Sequence, residues 1–565
     1  MLLRRLRSIE EKQEDNFTRV LDAVGEFGRF QRRLTAFTFL PSVLTAFFMF
    51  IDRFSLVDQL PYCNTSWILA VGPHLTVAQQ LNLTLPRAPN GSFQRCLMYV
   101  PVPSDLDTII RFGLNHTDIC QNGWIYPDSK MRSLVNEFDL VCDQQPDKAL
   151  LQAIFMAGIL TGSFIFGFIC DKMGRYLTIL LSLLGLAIFG FGTAFVSSFH
   201  QYLFFRFAVS QAVVGYTIGS LSLATEWLVG EHRTHAIVLA HCLITIGIMF
   251  LVGLAYTIPH WRLLFLVGGV PVFPLICCVW VLPESPRWLM TRGRIEEAKQ
   301  VLCYAARVNK RTIPPGLLNE LQLSGKKVPK ASVLDFYTNR HLYKVTLVMG
   351  CVWSVSRPAG AMGGGGQAHH EVGGHGVGEM TSAIILVVVF GHFSLGTAIS
   401  VFFIYTAELL PTVLRATGLG LMFASWAAGA ITSLIITSNV QSLLPLFLCC
   451  VFSSMALCFS AVLPETQEQP LWDTLEHFTK SGFQKEMPQS TSDSSFWRSR
   501  EDSVLVPPKE SGSDYLSEEA AKNTILNVQN LKMSSLVSDP SDATLGTFGA
   551  LIQPRHSQES GGSDP

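Results

Sequence analysis

Nine long apolar segments limit what this chain can fold into. Each is long enough for an α-helix to cross a hydrocarbon layer about 30 Å thick, which takes roughly 17–25 residues. Since backbone in lipid must satisfy its own hydrogen bonds, helices are the expected form. The chain is 49% hydrophobic, 15% charged and has a formal net charge of -1, so we predict an all-α polytopic membrane protein that contacts the lipid bilayer and binds no nucleic acid. The predicted spans are 36–57, 150–170, 177–197, 202–222, 236–257, 262–282, 381–405, 416–437 and 443–463.

The distribution of Lys and Arg predicts the orientation of these spans. The N-terminal segment 1–35 holds eight Lys or Arg residues, whereas the short connection 197–201 holds none. Cytoplasmic segments carry such an excess of positive charge, so the N-terminus is predicted to be cytoplasmic. A bundle of six spans at 36–282 then returns the chain to the cytoplasm, where the linker 283–341 is again basic.

The segment 58–148 is therefore predicted to be extracellular, and its residue types agree with that location. It contains four cysteines and four N-glycosylation sequons. Four cysteines in an oxidising compartment favour two disulfides, but they allow three pairings, among which the sequence does not choose. The loop also offers a surface for homo-oligomer formation. The cysteines are Cys63, Cys96, Cys120 and Cys142, and the sequons begin at Asn64, Asn82, Asn90 and Asn115.

Sequons and paired cysteines favour the secretory route and the plasma membrane. The alternative is an internal membrane, including a mitochondrial one, because Met1–Ser8 is rich in arginine and lacks acids, like the start of an organelle presequence. The acids Glu10, Glu11, Glu14 and Asp15 argue against a presequence.

Charged residues and glycines recur at the predicted cytoplasmic ends of the spans. Between the second and third spans, glycines permit close helix packing, and an aspartate and an arginine are spaced to form an ion pair that can break. Such a pair can hold one face of a bundle closed. We predict a conformational gate built from Gly167, Asp171, Lys172, Gly174, Arg175, Glu226, Glu231, Arg233, Glu284, Arg287, Glu408 and Arg415.

Several motifs resemble solute carrier family 22 of the major facilitator superfamily, which comprises organic cation, anion and zwitterion transporters. They are Gly25-Glu26-Phe27-Gly28-Arg29-Phe30-Gln31, Gly123-Trp124-Ile125-Tyr126, Glu137–Cys142, the turn at Gly167, Pro283–Leu289 and Glu408–Arg415. The resemblance implies twelve helices in two six-helix halves that move around a central site, with a glycosylated first loop. It also implies transmembrane transport of small organic ions, zwitterions or vitamin-like metabolites by alternating access, without a cofactor.

One position departs from that family. Anion carriers place an arginine, and cation carriers an aspartate, at the position that is Ala427 here. Without that charge we expect a neutral, zwitterionic or weakly charged small organic solute, unless another residue supplies the charge. For Arg206 the alternative to a substrate contact is an interhelical ion pair, and for Tyr256 it is a core contact. The candidate cavity residues besides Ala427 are polar side chains at membrane depth: Gln152, Arg206, Tyr216, His241 and Tyr256.

A second departure lies in the C-terminal half, 342–463. The apolar stretch Val345–Val355 ends early, and 354–380 is a Gly- and His-rich insert where the family has helix. We therefore predict an intact N-terminal six-helix half and an incomplete C-terminal half that lacks most of one helix and two entire helices. A weak crossing at 342–356 would keep Arg415 and the following tail cytoplasmic.

The remaining segments carry no enzyme or metal motif. The polar, Ser-rich segment 464–565 is predicted to be a disordered cytoplasmic tail. His369, His370, Glu371 and His375 match no metal-ligand spacing. The sequence also lacks a phosphate-binding Gly-Lys-Ser loop, a zinc-protease His pair and a nucleophile elbow, so an enzyme is not expected. Two alternatives to a working carrier stay open: a non-transporting receptor or scaffold on a carrier fold, and a defective splice form of a transporter.

Overall fold

A computed structural model describes residues 16–57, 61–89, 91–126, 132–144, 148–319, 335–362, 399–439 and 444–461, with Leu463, Thr466 and Leu471. The chain divides into two units, Met1–Pro488 and Gln489–Pro565, and the second lies outside the described residues. After helix α1 (Asn16–Val24), six membrane-length helices follow, which we call the N-terminal helices: α2 (Arg29–Ser55), α3 (Lys148–Met173), α4 (Arg175–Phe195), α5 (Phe199–Trp227), α6 (Glu231–Thr257) and α7 (Trp261–Val279).

The N-terminal helices fall on the first six predicted spans, and their ends have local causes. Gly174 separates α3 from α4 with a φ of 118°, and Gly230 separates α5 from α6 with a φ of 54°. Both values lie where only glycine is unstrained. The hydroxyl of Ser198 accepts a hydrogen bond from the backbone N–H of Gln201 and caps α5. Pro271 divides α7 into two helical segments.

Large apolar side chains cover the outer surface of these helices. Phe195, Ile188 and Met249 are 65%, 63% and 69% exposed. Exposure of this kind along several neighbouring helices is unfavourable in water and natural in hydrocarbon. The aromatic residues of the interior, such as Phe47 and Phe265, are fully buried. Lipid therefore surrounds this bundle.

The loop between α2 and α3 is a separate small fold. Strand β1 (Tyr62–Cys63) pairs antiparallel with β4 (Trp124–Ile125), and β2 (Leu97–Tyr99) pairs with β3 (Thr117–Ile119). Of the three pairings that the sequence allows, the structure has Cys63–Cys120 and Cys96–Cys142, which interleave. The short helices of the loop are Ile68–Val71, Val77–Thr84, Leu106–Phe112 and Leu134–Glu137, followed by a 3-10 turn at Cys142–Gln144.

The predicted glycosylation sites differ in exposure. Asn82 and Asn115 are exposed, whereas Asn64 is half-buried and accepts a hydrogen bond from the N–H of Ser66 at 3.1 Å. Asn90 lies outside the described residues. Glycosylation itself stays a prediction.

Beyond the N-terminal helices, the described residues include α8 (Pro286–Thr291), α9 (Ile295–Val308), a single turn at Asp335–Thr338, and four further helices. We call the last four the C-terminal helices: α10 (Arg340–Met362), α11 (Ile399–Leu409), α12 (Arg415–Asn439) and α13 (Leu444–Ala461). Of these, α12 is apolar and long enough to cross a membrane. The predicted span 381–405 falls largely outside the described residues.

Helix α10 is longer than the sequence suggested. It has 23 residues, about 34 Å at 1.5 Å per residue, and it continues through Ser354–Met362, where we expected the helix to stop. Ala359, Ala361 and Met362 favour helix, and the run of four glycines starts only at Gly363. The rest of the Gly- and His-rich insert lies outside the described residues.

The N-terminal segment is held by the end of α9. The side-chain amide of Asn309 donates to the carbonyl of Val24 at 2.9 Å and to the side-chain oxygen of Gln31 at 2.8 Å, while its oxygen accepts from the N–H of Phe30 at 2.8 Å. A side chain at Gly28 would overlap Asn309. The Gly25–Gln31 motif is thus a docking turn for the linker helices.

Candidate functional site

Most of the predicted gate residues meet at the end of the bundle where α12 begins. We call six of them the latch: Asp171, Arg175, Glu226, Arg233, Glu408 and Arg415. The first four belong to the N-terminal helices and the last two to the C-terminal helices. Every contact between these two sets therefore joins segments far apart in sequence.

Asp171, in the last turn of α3, caps the first turn of α12. Its carboxylate accepts from the backbone N–H of Thr417 at 2.7 Å, from the hydroxyl of Thr417 at 2.7 Å and from the N–H of Ala416 at 3.3 Å. The first N–H groups of a helix have no partner within the helix, and the helix dipole favours a negative charge there. A cap supplied by α3 ties the N-terminal helices to α12.

Glu226 lies between two arginines. It is fully buried and accepts from Arg175 Nη2 at 2.8 Å and from Arg415 Nη1 at 3.0 Å. Arg175 Nη2 also lies 3.2 Å from Asp171 and donates to the carbonyl of Thr412 at 3.0 Å. Buried charges are tolerated only when paired and hydrogen-bonded, and these are.

Arg233 and Glu408 form a second connection between the two sets of helices. Arg233 Nη1 lies 3.0 Å from Glu408 Oε1, and their side chains are 8% and 19% exposed. Glu408 Oε2 accepts from the hydroxyl of Thr466 at 3.3 Å. This pair lies nearer to solvent than the pairs of Glu226.

Glu284 lies next to the latch and holds the start of α4. Its carboxylate accepts from the backbone N–H groups of Arg175 at 2.9 Å and Tyr176 at 3.2 Å, so it caps α4. A side chain at Gly174 would overlap this carboxylate. Burial raises the pKa of Glu284 above its ordinary value, against the opposing effect of the N–H donors and of the Arg175 charge.

Glycines bring α3 and α12 together beside the latch. An added Cβ at Gly167 would lie 3.0 Å from the carbonyl oxygen of Ala416, and one at Gly420 would overlap the carbonyl oxygen of Ser163. Small residues at a crossing let two backbones approach closely. Gly167, which the sequence singled out, has Gly420 as its counterpart.

Three further predicted gate residues lie beside the latch. Lys172 is exposed, with Nζ 5.4 Å from the centre of the Phe168 ring, and Glu231 is exposed at the start of α6. The guanidinium of Arg287 stacks at 4.3 Å over the ring of Phe17 in α1.

Among the predicted substrate residues, Arg206 takes part in an interhelical ion pair. Its Nη2 lies 2.6 Å from Asp52 at the end of α2, and the hydroxyl of Tyr202 donates to the other oxygen of Asp52 at 2.5 Å. The guanidinium stacks at 4.8 Å over Phe155. Arg206 thus forms the interhelical ion pair that was the alternative to a substrate contact, and both partners belong to the N-terminal helices.

Tyr216 also lies between helices: its hydroxyl donates to the carbonyl of Thr38 at 2.5 Å and lies 3.2 Å from the hydroxyl of Ser42. Gln152 is half-buried on α3, and Tyr256 is 92% exposed on α6, facing away from the bundle interior.

His241 and Ala427 adjoin an aromatic group that the sequence did not reveal. The ring of Phe403 lies 4.8 Å from Trp353, 5.3 Å from Phe423 and 5.3 Å from His241. Ala427 is buried one turn after Phe423 on α12. We call Trp353, Phe403 and Phe423 the aromatic group. It connects α10, α11 and α12, and His241 of α6 lies against it.

Two other functional residues escaped the sequence analysis. Asp52 lies near the end of the first apolar run. A carboxylate there is costly without a basic or hydrogen-bonding partner, so its presence predicts one. Thr417 carried no signal, since its role depends on where α3 ends. Within the described residues no group of His, Cys, Asp or Glu is placed to hold a metal ion. His369, His370, Glu371 and His375 lie outside them.

At the opposite end, the loop is attached to the N-terminal helices by Glu137. It accepts from Trp261 Nε1 at 2.6 Å and from Arg262 Nε at 2.7 Å. Arg262 also donates to the carbonyls of Ala194 and Val196, at 2.6 and 2.7 Å. Burial opposes ionisation of Glu137, but the donors Arg262 and Trp261 outweigh it and lower the pKa of Glu137 below its ordinary value.

Comparisons with known proteins agree with the motifs. The family model "Sugar (and other) transporter" matches residues 128–362. Solute carrier family 22 member 14 of Homo sapiens is 56% identical over 538 residues, which cover 84% of this chain and 91% of the relative, and its Mus musculus counterpart is 52% identical, covering 94% and 90%. The solved xylose symporter XylE, of the major facilitator superfamily, is 12% identical with a TM-score of 0.49, covering 80% of this chain and 99% of that chain. On the sequence similarity, this chain belongs to solute carrier family 22, within the major facilitator superfamily.

Proposed function

We propose that this protein carries small organic ions, zwitterions or vitamin-like metabolites across a membrane by alternating access. Its family consists of transporters and not of enzymes. The observation that carries the proposal is the latch, which joins the N-terminal helices to the C-terminal helices at one end through charges that can separate.

The composition of the latch supports reversible opening. Asp171, Arg175 and Glu226 all belong to the N-terminal helices, so they stay paired with one another when α12 moves away. When the C-terminal helices move away, Arg415 separates from Glu226 and Arg233 separates from Glu408, so water must hydrate the separated charges. An uncompensated buried charge would cost about 3–5 kcal/mol, so opening requires water to enter the latch. The described conformation is the state closed at the latch end.

The aromatic group supports a substrate site next to Ala427. Aromatic faces bind flat organic solutes by stacking and bind cations by their quadrupole. Because Ala427 is neutral, the site favours neutral, zwitterionic or weakly charged solutes. Polar groups beside the rings are His241 and the hydroxyl of Thr406, which accepts from Trp353 Nε1 at 3.2 Å. The pair Asp52–Arg206 is a further charged group within the N-terminal helices.

Orientation and location follow the charge distribution. With the N-terminus in the cytoplasm, the latch closes the cytoplasmic end and the disulfide-bonded loop is extracellular. We propose the plasma membrane, with an internal or mitochondrial membrane as the alternative. A complete N-terminal half, an incomplete C-terminal half and a cytoplasmic tail at 464–565 are part of the same proposal.

The test is uptake of labelled cations, anions, zwitterions and vitamin-like metabolites into vesicles that contain the purified chain. Three further proteins are assayed in parallel: a version with the family's missing helices restored, and the variants Ala427→Arg and Ala427→Asp. The arginine variant should shift uptake towards anions and the aspartate variant towards cations. Uptake by the restored version alone would identify this chain as a defective form. Absence of uptake by every version would contradict the proposal.

A further inference from the structure

The structure assigns a positioning role in the latch to Thr466: its hydroxyl holds Glu408 in the orientation that pairs with Arg233. Thr466 lies after α13, at the start of the segment predicted to be a tail, and no motif singled it out. The inference deepens the proposed function, since it concerns the same latch.

The geometry of Glu408 carries the inference. Oε1 lies 3.0 Å from Arg233 Nη1, and Oε2 accepts from Thr466 Oγ1 at 3.3 Å. A carboxylate held at one oxygen can rotate about its last torsion, whose preferences are broad. When Thr466 holds Oε2, Oε1 already faces Arg233. Pairing with Arg233 then costs little further rotational freedom of the carboxylate.

Apolar anchors fix the position of Thr466. Leu463 packs against the same apolar cluster as Leu409 and Leu410 at the end of α11, and Leu471 is 5% exposed. Thr466 therefore lies in sequence between a half-buried leucine and a buried one. This places the start of the tail on the latch.

The chemistry of threonine suits the role. A lysine there would neutralise Glu408 and compete with Arg233, which is 8% exposed and depends on Glu408 as its carboxylate partner. A hydroxyl donates one hydrogen bond and adds no charge. Thr466 thus orients the carboxylate and leaves the ion pair intact.

Amide hydrogen exchange of the purified full chain tests this without a substrate. The N–H groups of Ala416 and Thr417 bond to Asp171 only while the latch is closed, so their exchange reports opening. Thr466→Val should speed their exchange about fivefold, as expected for one lost hydrogen bond of ordinary net strength. Thr466→Ser should restore the parent rate. The control Thr432→Val, on the exposed face of α12, should leave it unchanged.

A double variant tests whether Thr466 acts through Glu408. In a Glu408→Gln background, Thr466→Val should add nothing, because the group that it positions has lost its charge. An additive effect, or equal rates for the valine and serine variants, would overturn the inference; the serine comparison decides even if Glu408→Gln does not accumulate. Since exchange needs no transport, a chain that fails to carry any solute can still pass or fail this test.

Discussion

The latch end and the loop end of the N-terminal helices use charge in different ways. At the latch end, Glu226 is fully buried between Arg175 and Arg415. At the loop end, Glu137 and Arg262 are 32% and 25% exposed and join parts of the same half. Among the described residues, both ion pairs that connect the N-terminal to the C-terminal helices lie at the latch end.

In the transport cycle that we propose, this difference separates a contact that must break from one that must last. A moving contact needs charges that are strongly paired when closed and hydrated when open. A static contact can rely on covalent bonds, and the loop end has two interleaved disulfides. We therefore expect substitutions to have large and conformational effects at the latch end and small or purely local ones at the loop end.

The largest effect is expected for Glu226→Gln. The amide cannot neutralise two buried guanidinium groups, so the folded state should lose about 3–5 kcal/mol. Chemical unfolding in detergent measures the loss. The matched loop-end variant Glu137→Gln should cost about 0–1 kcal/mol, as exposed pairs do. Equal losses would break the comparison.

Reduction of the disulfides should affect the loop end alone. The bonds join residues 57 and 46 positions apart, and closing segments of that length stabilises by about 2–4 kcal/mol. Treatment with a reductant should speed amide exchange in the loop and leave Ala416 and Thr417 unchanged. Faster exchange at those two amides would show that the ends are coupled. The variant Cys96→Ser with Cys142→Ser is the control for reductant side effects.

The glycine crossing offers a smaller, purely steric test. Gly420→Ala places a methyl group against the carbonyl of Ser163 and should destabilise the closed latch by about 1–3 kcal/mol. Gly253→Ala is the matched control, because a methyl group there meets no neighbour within 4 Å. That control should be neutral or stabilise α6, since alanine favours helix. Amide exchange at Thr417 distinguishes the two.

Sequence reasoning reached different parts of this picture for physical reasons. Apolar length predicted the six N-terminal spans, because lipid permits little besides helix. Asp171, Arg175 and Glu226 were found together because ionisable groups at membrane boundaries are costly without partners. The partners themselves, Thr417 and Thr466, are ordinary residues whose roles depend on tertiary position. The aromatic group likewise needed three helices to meet before its members could be connected.

The smallest effects, and the sharpest contrast, are expected from pH. The pKa of Glu284 is raised, so the folded state binds its proton more tightly than the unfolded state does. Its contribution to stability is present below the ordinary carboxyl pKa of about 4.3 and is lost as pH rises through the raised value. The pKa of Glu137 is lowered, so its contribution is present above the ordinary value and is lost as pH falls through the lowered one.

The two ends should therefore respond to pH in opposite directions, and each has a matched variant. The stability of Glu284→Gln relative to the parent should rise with pH above about 4.3, whereas Glu137→Gln should lose its disadvantage as pH falls below that value. Melting temperatures of the three proteins between about pH 3.5 and 7 measure both slopes. Suppose instead that the stabilities of both variants, relative to the parent, change with pH in the same direction. Then either burial does not dominate the pKa of Glu284, or Arg262 does not hold Glu137 in solution. The first outcome would mean that the N–H donors and the charge of Arg175 outweigh burial at Glu284; the second would mean that Glu137 does not attach the loop to α7.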